Sequence, residues 1–134
     1  RKNRYEVAIH DETRSISTKT MRISAIIIFV YIGWHLVDFT FTSSTVENAT
    51  VNGEYLGLYG LVYNSFLNPF RSIFYIIAMG AIGMHLTHGI QSVAQSFGVS
   101  HDTYTSIINK VSVGLGAIIA IGFSSVPIYV WIIS

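Results

Sequence analysis

The chain has 134 residues, 51% hydrophobic and 11% charged, where a soluble domain carries about 25% charged residues. Six of its eight cations, Arg1, Lys2, Arg4, Arg14, Lys19 and Arg22, precede residue 23, and only Arg71 and Lys110 follow. That distribution belongs to a membrane protein and gives the net charge of +1 no bearing on nucleic acid; the lack of cysteine excludes disulfides, thiolate metal sites and iron–sulfur clusters held by this chain.

Residues 1–22 are polar and basic and contain no apolar stretch of the signal-peptide kind. They predict a surface arm or connector over 1–21, with Ser17 or Thr18 capping the helix that follows. The chain starts on Arg1, and the expectation is that a leader or a longer N-terminal part precedes it.

The first apolar run covers 22–42, roughly 20 residues, enough to cross about 30 Å of hydrocarbon at 1.5 Å per residue. His35 and Asp38 interrupt it near its far end, flanked by Tyr31 and Trp34. Residues 43–68 form a polar loop in which 55–66 is aromatic enough for a surface-lying helix. Asn48-Ala49-Thr50 matches a glycosylation sequon, a pattern common by chance. Pro69 suits a helix start, and a second apolar run covers 70–95 with Gly80, Gly83 and Gly89 besides His85 and His88. Small residues at such positions admit a neighbouring helix or a flat cofactor. Gly98 suits a helix stop. A polar connector with His101 leads to a third apolar run, 110–133, thinned by Gly114, Gly116 and Gly122 and expected to kink at Pro127.

The predicted fold is therefore all-α and integral to a membrane: three transmembrane helices (22–42, 70–95, 110–133) in a 22–134 domain, forming part of a larger bundle. The basic arm faces the cytoplasm or matrix by the positive-inside rule, which places loop 43–68 outside.

Imidazole inside a membrane helix is costly and usually faces the bundle interior with a function. Counted from the helix starts, His35 lies roughly 18–20 Å above the inner surface and His85 about 8 Å above it. The two are then separated by roughly 10 Å along the membrane normal, too far to grip one haem from both sides. His88 shares nearly the same helix face as His85. His10 and His101 lie in polar segments. A bis-histidine site for either residue needs a ligand from another segment or chain. Structural histidines bonding a neighbouring helix remain the alternative.

The stretches STKTMR, WHLVDFT, GMHLTHGIQSVAQSFG and SSVP resemble the cytochrome b membrane anchors of succinate dehydrogenases and fumarate reductases, above all the one-piece, five-helix, two-haem type. The match runs from residue 15 to about 130, over what corresponds to the last three helices. The resemblance implies haem b held by histidines of different helices, with His35 and His85 as axial ligands of a distal and a proximal haem. The partner ligands would come from a further membrane segment or subunit. It also implies propionate contacts from Lys19 and Arg22 and a supporting place for His88. Gly83 or Gly89 would make room for haem, and Gln91, Ser92 and Asp38 are quinone-site candidates. Gly83 stands where some members carry a glutamate used in a proton path, so that path is not implied here. The family places FAD and iron–sulfur clusters in partner subunits and delivers electrons to a quinone, often menaquinone, in a bacterial plasma membrane or the mitochondrial inner membrane. This chain would be a non-catalytic electron-transfer subunit. Other readings are a cytochrome b subunit of another membrane dehydrogenase, or a haem-free transporter or assembly subunit using His85 and His88 as a relay.

Overall fold

The computed structural model describes residues 4–98 and 102–134, with side chains from residue 18 in the first segment and from residue 104 in the second. The elements in order are α1 (Arg4–Leu36), a π-helical turn (Val37–Phe41), β1 (Thr50–Val51), β2 (Glu54–Tyr55), α2 (Gly57–Phe66), α3 (Pro69–Ser96) and α4 (Asp102–Ile133). Three stretches are long and apolar enough to cross a membrane: Thr18–Phe41, Pro69–Ser96 and Tyr104–Ile133. The all-α membrane architecture expected from the apolar runs is thus present.

Two boundaries differ from expectation. Helix α1 does not begin at a Ser17 or Thr18 cap; it continues back to Arg4, so the basic segment is a helical extension of the first span. No proline or glycine interrupts residues 4–22 to stop it. Helix α4 likewise starts at Asp102 and runs unbroken to Ile133, with Pro127 inside it and fully buried.

The helix ends are well specified. Asn68 caps α3, its Oδ1 accepting from the backbone N–H of Phe70 at 3.0 Å and Arg71 at 3.3 Å, with Pro69 in the first turn where a missing N–H costs nothing. Gly98 closes α3 at φ +76°, its N–H bonding the Gln95 carbonyl. At the far end of α1, Thr42 Oγ1 donates to the Val37 carbonyl at 2.6 Å and satisfies a group freed by the π turn.

The 43–68 loop is ordered by a hairpin. Asn52 and Gly53 both take positive φ, 52° and 86°, which suits a two-residue turn between antiparallel β1 and β2. Asn64 of α2 pins the hairpin by donating to the carbonyls of Asn48 and Thr50, each at 3.0 Å. The Asn48 side chain is itself engaged: its Oδ1 accepts from Thr45 N–H and its Nδ2 donates to the Ser43 carbonyl. The sequon asparagine therefore works as a loop staple.

Helices α3 and α4 pack most intimately. A Cβ on Gly83 would lie 2.6 Å from the Gly116 carbonyl oxygen, so the two backbones touch where both residues lack side chains. Thr87 Oγ1, within reach of both the Gly83 and Ser112 carbonyls, and Gln91, donating to Ser112 Oγ at 3.0 Å, extend this seam. The C-terminal end of α4 is tied to α2 by Trp131 Nε1, which donates to the Phe66 carbonyl. Helix α1 crosses α3 antiparallel, with Ser24 beside His85 and Asp38 beside Arg71.

Candidate functional site

His85 projects from α3 toward α1, where its Nδ1 lies 2.9 Å from Ser24 Oγ. His35 projects from α1 into an aromatic enclosure. Its ring centroid lies 5.4 Å from those of Tyr31 and Phe39 and 6.1 Å from that of Tyr75. The Tyr31 hydroxyl is 3.5 Å from Nδ1, at the limit of hydrogen bonding. A cavity of about 390 Å³ opens beside this ring, lined by Tyr31, Phe66, Tyr75, Met79 and Phe123 among others.

The register between α1 and α3 fixes how far apart the imidazoles are. Ser24, level with His85, precedes His35 by eleven residues of α1, about 16 Å of helix rise. Tyr75, level with His35, precedes His85 by ten residues of α3, about 15 Å. Both counts exceed the roughly 10 Å expected from the helix starts. That expectation fixed the levels from assumed entry points at residues 22 and 70, whereas the packing register sets them.

His88 parts company with His85. Three residues advance a helix by about 300°, so the two rings leave α3 about 60° apart. His88 lines a groove between α3 and α4 with Gly80, Met84, Gly116 and Ala120. At Gly83 the place a Cβ would take is met by the Gly116 carbonyl and the Ala120 methyl, and the residue lines the same groove as His88. Gly89 has no heavy atom within 4 Å of the position its Cβ would take, and keeps open space beside it.

Asp38 is 8% exposed, because α3 brings two partners against it. Arg71 Nη2 lies 3.4 Å from Oδ1, and the Tyr75 hydroxyl donates to Oδ2 at 2.9 Å. This cluster separates the cavity at His35 from a polar one of about 510 Å³ lined by Thr42, Glu47, Asn48, Asn64 and Arg71 besides Asp38. Gln91 is drawn into the α3–α4 seam, and Ser92 is exposed on α3. Neither joins Asp38 in a shared pocket, since they sit at opposite ends of α3 from it.

Lys19 and Arg22 are exposed on α1. They lie about 7.5 Å and 3 Å along the helix from Ser24, on the side away from His35. Positive charge from α1 is thus available next to the His85 level, while the cation nearest the His35 level is Arg71, which Asp38 engages. Among the described residues no group of three histidine, aspartate or glutamate side chains gathers as a metal cluster.

Ser24, Arg71 and Tyr75 are site residues that the sequence does not single out. One signal was available for Arg71. It is the lone cation in the apolar 70–95 run, and Asp38 is the lone acid in the 22–42 run; membrane-embedded charges pair with one another. Compared with known proteins, the chain matches no family model, no curated protein and no solved structure.

Proposed function

We propose that this chain is the haem b-binding membrane anchor of a succinate:quinone oxidoreductase, passing electrons from a partner's iron–sulfur clusters to a membrane quinone. One observation carries the reading: two membrane-level imidazoles, His35 and His85, stand on different helices and about 15 Å apart along the bundle. Two redox centres at two depths fit that spacing; one shared metal ion does not. The donor chemistry fits a haem as well. Neutral imidazole is a haem-iron ligand, and neither Nε2 makes a hydrogen bond with a described residue. Bound there, haem supplies one-electron chemistry at a potential that its ligands and surroundings tune.

The chain's own residues supply binding and orientation. His85 and His35 would each hold haem iron through one imidazole nitrogen, together with an imidazole from a further membrane segment or subunit. Lys19 and Arg22 offer positive charge to propionates at the His85 level. His88 supports the same level from the α3–α4 groove. Tyr31, Phe39 and Tyr75 wall the His35 level with aromatic surface that excludes water. Asp38, with Tyr75, lies beside that cavity where a quinone, by resemblance menaquinone, would exchange protons. FAD and iron–sulfur clusters belong to the soluble partners, and a bacterial plasma membrane is the favoured location.

The test is the haem content of the purified complex. An alkaline pyridine spectrum should show b-type haem, and His35→Ala and His85→Ala should each remove one centre from the reduced-minus-oxidised spectrum. Lack of b-type haem, or full haem content in both variants, would sink the proposal. Soluble partners other than a flavin-containing succinate-oxidising pair would shift it to another membrane dehydrogenase.

A further inference from the structure

Ser24 is 2% exposed, so its hydroxyl has no water to turn to. Its Oγ has two neighbours at bonding distance. The Met21 carbonyl of the same helix lies at 3.0 Å and His85 Nδ1 at 2.9 Å. A hydroxyl carries one proton and accepts through its lone pairs, and a carbonyl can only accept. Both contacts are hydrogen bonds at once in only one arrangement: Ser24 donates to Met21, and His85 Nδ1–H donates to Ser24. Reversing the second bond would give up the Ser24–Met21 bond, leaving that carbonyl only its helical N–H donor, and would put the imidazole proton on Nε2. A metal-binding imidazole is oriented in general by the bond that its other nitrogen makes.

We infer that Ser24 is the positioning residue for His85, holding its imidazole as the Nδ1–H tautomer with the Nε2 lone pair free for iron. This rests on the proposed reading of His85 as an axial ligand. Ser24 touches no iron; it acts through His85. A serine oxygen accepting from Nδ1–H also increases the basicity of the ring, which favours ferric over ferrous iron. The His35 level is different in kind. Its Nδ1 faces the Tyr31 hydroxyl at 3.5 Å, within a wall of aromatic rings. The two centres should therefore respond separately to loss of the serine.

The experiment is a redox titration of the two b-haem signals in the purified complex bearing Ser24→Ala, Ser24→Thr or His85→Ala. His85→Ala identifies the signal that depends on this ligand. Ser24→Ala should raise the potential of that signal alone and speed release of that haem about tenfold, the low end for loss of a partner behind a metal ligand. Ser24→Thr, which keeps the hydroxyl, should restore the parent values. Complete loss of the His85-dependent haem in Ser24→Ala with return in Ser24→Thr also supports the inference. An unchanged potential in Ser24→Ala, an equal shift of both signals, or the same behaviour in the alanine and threonine variants would overturn it. Retention of both signals in His85→Ala would instead overturn the ligand reading itself, and the inference with it.

Discussion

At the scale of single residues, the energetic weight lies with a few polar groups in an apolar setting. Asp38, near the membrane core boundary, is engaged by both Arg71 and Tyr75. Tyr75 is 4% exposed, and among the described residues its hydroxyl donates to Asp38 alone. Tyr75→Phe removes a hydrogen bond to a charged group, expected to cost about 1.5–3 kcal/mol. The apparent thermal midpoint of the complex should fall, while Tyr59→Phe, at an exposed ring stacked on Tyr63, should leave it in place. Equal midpoints for the two variants would show that Asp38 is satisfied without Tyr75. Tyr75 also contacts the His35 ring, so its loss should perturb the His35-dependent haem signal more than the His85-dependent one.

At the scale of elements, the closest packing occurs where two glycines face each other. Gly83→Leu would drive a side chain into the Gly116 backbone, where only the whole helix can yield. Overpacking of this kind costs about 1–3 kcal/mol or more. The level of assembled complex in membranes should drop for Gly83→Leu and Gly116→Leu, and stay at the parent level for Gly114→Ala, which has open space before it. If all three accumulate equally, the α3–α4 seam is not what holds these helices. Sequence patterns reveal that glycines line these helices, but which glycine meets which depends on the rotation of α4 about its axis. The apolar residues of α4 surround it almost evenly, so no stripe in the sequence fixes that rotation. The same limit hid Ser24: in a run of isoleucines a serine is unremarkable until α3 places His85 opposite it. Conversely, Pro69, Gly98 and the three apolar runs announce their elements because backbone geometry and span length are local properties. Asn52-Gly53 is as local a signal, yet the composition of 43–68 predicts only a polar loop with a surface-lying helix. The dipeptide is a strong hairpin signal, and β1 and β2 flank it as that signal requires.

At the scale of the whole molecule, the decisive feature is how little of the helices the chain covers by itself. Even α3, the most enclosed, has only 28% of its most apolar window buried, and α1 has 11%. Phe29, Ile26, Phe70, Ile118 and Ile121 are all more than 60% exposed. In a membrane such surface meets lipid or further helices without penalty, and the helices satisfy their backbone groups internally. On the proposed reading, further helices would also meet the imidazoles, each of which has one nitrogen unengaged by the described residues. Orientation follows from charge. Lys19 and Arg22, with the other early cations, should hold the start of α1 on the cytoplasmic or matrix side. The Ser96 end of α3 then shares that side, and the hairpin faces out. The absence of cysteine makes this directly testable, because a single introduced thiol is the only one in the chain. In sealed spheroplasts, a membrane-impermeant maleimide should label Val46→Cys, 71% exposed in the native chain, and should reach Ser96→Cys only after permeabilisation. The reverse pattern would invert the topology, put the His85 level on the outer side, and remove the basis for the electron entry at His85 proposed above.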